Sequence, residues 1–207
     1  GSRMQGGAVW QGVDLAMPFS IRPVIVSQTQ TVQDAKLVQT RQRPVADNAR
    51  AFSLMLEETE AQQRAGSRHG EERVGWLALD AAGQNWGDLP IAVTTAAVSS
   101  VVVTVPFPVV FAAPPALIGG LATFSGSDPA SLRYQALSAA DVSLRVAEDT
   151  TADSETGHAP ETVSILAFGV PAGATATLFG SRIEWLSPGK RGPAQQPMAL
   201  QGPAERR

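Results

Sequence analysis

One pattern occurs twice in this chain, as Arg-His-Gly-Glu-Glu-Arg-Val-Gly-Trp-Leu-Ala-Leu at residues 68–79 and as Gly-His-Ala-Pro-Glu-Thr-Val-Ser-Ile-Leu-Ala-Phe at residues 157–168. The only two histidines, His69 and His158, stand at the same place in the two copies, 89 residues apart. The offset between copies drifts only from 92 to 89 along further matched pairs: Pro23/Pro115, Arg43/Arg133, Glu58/Glu148 and Glu72/Glu161. Because a repeat decides the architecture before any local pattern does, we interpret the chain as an internal duplication.

The duplication divides the 207 residues into two units of roughly 90 residues each, and a unit of this size can bury a small core. We expect one unit at 8–98 and the other at 99–187. Residues 188–207 are rich in Pro and Gln and polar throughout, which predicts a flexible tail.

Composition excludes several classes of partner and site. The net charge of -3 provides no basic surface for nucleic acid or anionic lipid. The chain has 0 cysteines, which excludes disulfides and thiolate zinc sites. The longest apolar stretch, 101–121, is interrupted by four prolines and is typical of strands rather than of a membrane helix. We expect neither nucleic-acid binding nor membrane insertion.

Local propensity and the repeat disagree about residues 47–65, which are rich in helix-forming residues. The matching stretch, 140–152, alternates Val142, Leu144 and Val146 with polar residues, as a half-buried strand does. Two copies of one unit should share a fold, so we predict strands at 51–58 and 141–148. Similar segments predict strands near 22–31, 36–43, 72–79, 114–124, 131–137 and 161–168, with more at 90–105 and 174–185. The fold class is all-β, with two tandem antiparallel β-sandwich domains.

The same alternation locates unusual polar groups. Each unit directs two carboxylates to the rim of its core, at the two ends of the loop that carries its histidine. Charged groups at such positions need partners, and the candidates are His69 or Arg43 in the first unit and His158 or Arg133 in the second. Together with Trp86, which lies in a turn-like Gly-Gln-Asn-Trp-Gly context, these groups form the candidate ligand-binding set: Arg43, Glu58, His69, Glu72, Trp86, Arg133, Glu148, His158 and Glu161.

Three interpretations of the histidine and glutamate clusters remain open. They are structural networks that pin a hairpin loop, parts of a site for a sugar or another polar ligand, or metal sites. Two carboxylates and one imidazole suit zinc or manganese, and the acidic loop 147–155 suits calcium, but neither has a fixed-spacing motif. We therefore expect no cofactor, with calcium as the weak exception. The motifs of nucleophilic, phosphate-binding and zinc-protease enzymes are absent from the sequence, so we expect no catalysis.

The other tryptophans fit structural positions. Trp76 is in phase with Val74 and Ala78, which predicts a core position. Trp10 and Trp185 flank the paired units and are expected to close their ends. Trp86 is the candidate for an exposed platform on which a sugar stacks, with a plug under a loop as the alternative.

Residues 13–30, Arg43, Phe52 and 74–80 resemble the H-type lectin domain, and residues 101–168 resemble it more loosely. The resemblance implies a six-stranded antiparallel sandwich that trimerises and binds terminal sugars. Animal members carry an aromatic residue and a histidine where this chain has Thr59 and Glu60, so their sugar contacts do not carry over. The pattern looks more like a bacterial variant that is repeated in large secreted proteins.

Two functions follow as expectations. The first is a non-catalytic carbohydrate-binding module of a larger secreted or surface-associated bacterial protein, located outside the cell or on a particle surface, with a glycan or polysaccharide as partner. The alternative is a structural or assembly module without sugar binding, such as a spacer in an adhesin or phage-like particle. In either case we expect a homo-oligomer, and a trimer rather than a dimer.

Overall fold

The computed structural model of the chain describes residues 2–4, 9–45, 49–66, 68–86, 89–169, 175–178 and 181–184. They form strands and one short helix: β1 (Ser2–Met4), β2 (Gln11–Asp14), β3 (Val24–Thr29), β4 (Val38–Pro44), β5 (Ala51–Glu58), α1 (Glu60–Arg64), β6 (Glu72–Leu79), β7 (Ala82–Trp86), β8 (Leu89–Val98), β9 (Val103–Pro106), β10 (Ala116–Leu121), β11 (Ala130–Leu137), β12 (Asp141–Glu148), β13 (Glu161–Phe168), β14 (Thr175–Leu178) and β15 (Ser181–Glu184). The predicted all-β class is confirmed.

The first half of the chain, from β1 to β6, forms two antiparallel three-stranded sheets, in the orders β2-β5-β4 and β1-β6-β3. Alternate residues of their strands point between the sheets and form one apolar core: Met4, Val13, Ile25, Phe52, Leu54, Leu56 and Val74. Trp76 packs edge-on against Phe52, with ring centroids 5.3 Å apart, at the position expected for a core residue.

The second half, from β7 to β13, repeats this order of strand pairing. The sheet β9-β12-β11 corresponds to β2-β5-β4, and within the sheet β10-β13-β8-β7 the strands β8-β13-β10 correspond to β1-β6-β3. Strand β8 precedes the expected boundary at residue 98, yet it pairs with β13 along eight residues of each strand. The matching order is compatible with a duplication, which stays an interpretation, and the division into two domains stays a prediction.

A third apolar cluster joins the halves. In β3, Ile25 faces the first core, so its neighbours Val24 and Val26 face the other way. They pack against residues of β8 and β13 in the second half: Leu89, Ile91, Val93 and Leu166. Removing such a side chain from water contributes about 1.5–3 kcal/mol each relative to leaving it exposed. The two halves therefore share buried surface.

The disputed segment contains both a strand and a helix. Residues 51–58 form β5, as the repeat predicts, and its centre is buried. The helical propensity is expressed only afterwards, in the five residues of α1, where Thr59 and Gln62 form a capping box. The expected loop 59–71 therefore begins with a helical turn. None of the described helices is long and apolar enough to cross a membrane.

Candidate functional site

Glu72, at the start of β6, holds the loop that follows β3. Its carboxylate accepts hydrogen bonds from the Thr31 hydroxyl, from the Gln33 backbone N–H at 2.7 Å and from the Asp34 backbone N–H at 3.2 Å. The Arg73 backbone N–H donates in turn to the Thr31 hydroxyl at 2.8 Å. Burial alone would raise the pKa of Glu72, but these donors outweigh it and lower the pKa below the ordinary value. The carboxylate is ionised and acts as a loop clamp.

Glu161, at the start of β13, forms the same clamp in the second half. It accepts from the Thr123 hydroxyl, from the Ser125 backbone N–H at 2.9 Å and from the Gly126 backbone N–H at 3.4 Å. The Thr162 backbone N–H donates to the Thr123 hydroxyl at 2.8 Å. Burial again opposes ionisation, and the hydrogen bonds again lower the pKa of Glu161. The two glutamates are thus matched in structure as well as in sequence.

The two histidines differ in what they contact. His158 Nδ1 lies 3.1 Å from Glu148 Oε1 and its Nε2 lies 3.2 Å from Glu161 Oε1, so it bridges two carboxylates, as predicted. His69 instead faces two backbone carbonyls, with Nε2 2.9 Å from Lys36 O and Nδ1 3.0 Å from Gly70 O, while Glu72 Oε1 is 3.9 Å away. Each imidazole is therefore held through both of its ring nitrogens by acceptor groups of its own half.

Arg41 is the central charged residue of the structure, and the sequence analysis missed it. Its side chain is 0% exposed and lies between a carboxylate of each half. Nη1 is 3.2 and 3.1 Å from the two carboxylate oxygens of Glu57, and Nη2 is 2.8 Å from Glu161 Oε1. Together with His158 and Glu148, these groups form a continuous polar network that crosses from one half to the other.

Glu57 is the carboxylate of this network whose pKa is raised. Burial raises the pKa of Glu57, although Arg41 and the Gln39 side chain work in the opposite direction. The Gln39 amide donates to Glu57 at 2.7 Å and to the carbonyl of Ala130 in the second half at 2.8 Å. Ionisation of Glu57 therefore depends on Arg41, and the pair ties β4 and β5 to the second half.

Of the alternative partners predicted for the carboxylates, the two arginines, Arg43 and Arg133, are not the ones used. The guanidinium of Arg43 lies over the ring of Trp10, 4.2 Å from its centroid, and Arg133 is exposed and donates to the Leu132 carbonyl. Strand register also changes the matched pair, because Arg41 lies opposite Met55 and Arg133 lies opposite Arg145. Arg133 therefore corresponds to Arg41. The signal was present, since the 92-residue offset already seen at the first proline pair also links these two arginines.

A cleft of about 440 Å³ lies between the halves and brings together Glu58, Arg133 and Glu148 from the candidate set. Among the described residues, Glu58 Oε1 and Glu148 Oε2 are buried and have no hydrogen-bond partner. Buried acceptors of this kind carry a desolvation cost of about 1–3 kcal/mol unless a donor reaches them. The cleft therefore offers two matched acceptors to a ligand that carries donors.

Five other members of the candidate set do not line this cleft. Four of them are at most 5% exposed and belong to the clamps: His69, Glu72, His158 and Glu161. Arg43 lies at another cavity between the halves. Trp86 lies in β7, and its side chain is outside the described part of the structure, as is Trp185.

The acidic loop 147–155 contacts α1. Asp149 accepts from the Glu60 backbone N–H at 2.9 Å and from the Thr151 backbone N–H at 2.8 Å, and Asp153 pairs with Arg64 at 2.7 Å. Within the described ranges, no three acidic or histidine side chains form a group that could hold a metal ion. This loop is a further link between the halves.

Comparison with known proteins finds one relevant similarity. The chain is 28% identical over 156 residues, 75% of its length, to halomucin of Haloquadratum walsbyi. It spans only 2% of the length of halomucin. No family model matches the chain, and no solved structure matches it. The similarity is therefore to a small part of a very long protein.

Proposed function

We propose that the chain is a non-catalytic structural module of a larger surface-associated protein, in which the two halves are locked into one rigid unit. The observation that carries the proposal is the position of Arg41, which is 0% exposed and ion-paired with Glu57 of the first half and with Glu161 of the second. A buried cation between two carboxylates tolerates little displacement, because each carboxylate that loses its partner remains buried and charged.

The histidine and glutamate clusters support this proposal. The two histidines and the clamp glutamates, Glu72 and Glu161, are buried, and their bonds close on the chain itself, as expected of the structural interpretation. Glu58 and Glu148 line the cleft. The third apolar cluster and the contacts of α1 with residues 149 and 153 add two further links across the interface between the halves, which we call the seam. A chain that matches about 2% of a very long protein has the proportions of one module in it.

Hydrogen exchange in urea tests this function, because it reports on each half separately. We expect the amides of β5 and of β13 to lose protection at the same urea concentration in the unaltered chain. In an Arg41→Met variant, we expect the two strands to lose protection at different concentrations. The matched control is Arg133→Met, the exposed residue at the corresponding register. Separate transitions in the unaltered chain would refute the locked unit.

Carbohydrate binding remains a second candidate because of the cleft. Its two unpartnered carboxylate oxygens, from Glu58 and Glu148, need donors, and sugar hydroxyls are donors. Arg133 lines the same cleft and adds a charged donor for a ring or hydroxyl oxygen. The volume of about 440 Å³ lies within the range of about 300–1,000 Å³ typical of ligand sites.

A glycan array on the full chain tests this second function. We expect any bound glycan to lose most of its signal with Glu58→Ala and with Glu148→Ala, and to keep it with Glu71→Ala, an exposed carboxylate outside the cleft. An array without binding, or binding that is indifferent to both cleft variants, would leave the structural function alone.

A further inference from the structure

A second cavity, of about 250 Å³, lies at the seam between the halves, on the side away from the glutamate cleft. The first half contributes the apolar residues Pro23, Val24 and Pro44 together with the polar residues Arg22, Gln42 and Arg43. The second half contributes hydroxyl-bearing side chains of β13, Thr162 and Ser164. The cavity therefore combines apolar and polar walls.

Ser164 gives the cavity an unused hydrogen-bonding group. It is 0% exposed, and among the described residues its hydroxyl has no partner. Because Val163 and Ile165 face the second core, the alternation of β13 turns Ser164 to the opposite face, where it lines the cavity. Two nearby polar side chains are already engaged: Gln42 bonds to Ser27 and to the Ile25 carbonyl, and Thr123 bonds to Glu161 and to the Thr162 N–H. A ligand atom is the natural partner for Ser164.

The described lining of the cavity is positively charged. Arg22 and Arg43 both line it and are both exposed, and the described lining residues include neither Asp nor Glu. Arg43 is held in place by its contact with Trp10, which leaves the edge of the guanidinium available for hydrogen bonds. Two guanidinium groups at the wet end of a partly apolar cavity favour a carboxylate, which they bind through charge-assisted hydrogen bonds.

We propose that this cavity is a binding site for a small aromatic or short-chain carboxylate that carries a polar substituent on its apolar body. The carboxylate engages Arg22 and Arg43, the body packs against Pro23, Val24 and Pro44, and the substituent bonds to the Ser164 hydroxyl. The volume of about 250 Å³ restricts the site to ligands of about the size of a single substituted ring.

NMR titration of the full chain with three probes tests the site: 4-hydroxybenzoate, benzoate and benzyl alcohol. We expect 4-hydroxybenzoate to bind most tightly, benzoate less tightly because it lacks the partner of Ser164, and benzyl alcohol at least about tenfold more weakly than benzoate because it lacks the charge. The shifted amides should belong to β3 and β13. Equal binding of benzoate and benzyl alcohol, or shifts confined to other strands, would overturn the proposal.

Variants separate the two parts of the site. Ser164→Ala should reduce the affinity for 4-hydroxybenzoate to that for benzoate while leaving benzoate binding unchanged. The chain should still fold, because the change removes a hydroxyl that has no partner. Arg22→Gln should weaken both carboxylates about tenfold, and the exposed control Arg145→Gln should weaken neither. Unchanged affinities in the Ser164 and Arg22 variants would refute the assignment.

Discussion

Replacement of Arg41 by methionine should destabilise the chain more than any other single change at the seam. The aliphatic part of the side chain is retained, but Glu57 loses its bonds at 3.1 and 3.2 Å and keeps the Gln39 amide and the Ala130 backbone N–H. Glu161 loses its bond at 2.8 Å but keeps four other partners, from Thr123, Ser125, Gly126 and His158. Most of the cost should therefore fall on Glu57.

Removing one partner of a buried ion pair costs about 3–5 kcal/mol. For a chain of this length, this corresponds to a fall in Tm on the order of 10 °C. Urea unfolding at pH 7, followed by circular dichroism, measures the change. Arg133→Met is the matched control and should stay within about 0.5 kcal/mol of the unaltered chain. Because Glu57 carries the cost, adding Glu57→Gln to Arg41→Met should restore part of the stability, with a coupling of about 0.5–3 kcal/mol. A loss below about 1 kcal/mol, or a double variant no more stable than Arg41→Met, would show that the network does not lock the halves.

Three further predictions concern the second clamp, acidity and assembly. Gly126→Ala should lower the Tm by an amount equivalent to about 1–3 kcal/mol, because its Cβ would lie 2.5 Å from the His158 ring. The control Gly120→Ala, which has open space around it, should be nearly neutral, and equal Tm values for the two variants would contradict this. The pKa values of Glu72 and Glu161 are lowered in the folded state, so the stability that they contribute is present above the ordinary pKa of 4.5 and is lost as the pH falls through the folded pKa values. The urea midpoint should therefore decrease as the pH is lowered below 4.5, and less steeply in Glu161→Gln. A midpoint that rises on acidification would refute the clamps. The lectin resemblance predicts a trimer, so light scattering should give about three times 21.6 kDa, and a mass of 21.6 kDa would exclude it.

Local alternation and the repeat sufficed to predict eight strands, β3 to β6 and β10 to β13, and the buried carboxylates, but not the short strands β1, β2 and β7. Residues 51–58 have helix-forming composition, and only their match to 141–148 identified them as a strand. The clamps were predictable in part, because the phase of Glu72 with Val74 and of Glu161 with Val163 placed both carboxylates at a core. Their backbone donors in the loops after β3 and β10 were not, since loop conformation leaves no periodic signal.

Arg41 was missed because its position depends on the packing of the two halves. Within β4 it lies on the face away from the first core, where a single sandwich would expose it to water. Only the approach of Glu161 makes that face an interior. The sequence does contain one sign of a second buried face, because Val24, Ile25 and Val26 are apolar without alternation, which is typical of a strand covered on both sides.

The two clamps have the same arrangement of glutamate and loop donors but differ in what lies beyond it. In the first half, Glu72 and His69 bond to nearby loop groups, so the clamp closes a loop and reaches no further. In the second half, His158 joins Glu161 to Glu148, and Arg41 extends the same network to Glu57 across the seam. Arg41 is thereby shared between two carboxylates, and Glu161 also accepts from its own loop, so the network tolerates burial that an isolated ion would not. The corresponding arginine of the second half, Arg133, finds no such carboxylate and stays exposed, because the first half presents Glu57 only to Arg41. The network between the halves is therefore asymmetric: Arg41 of the first half reaches Glu161 of the second clamp. If instead Arg133 of the second half reached the first clamp, Glu57 and Glu161 would remain buried without a shared cation.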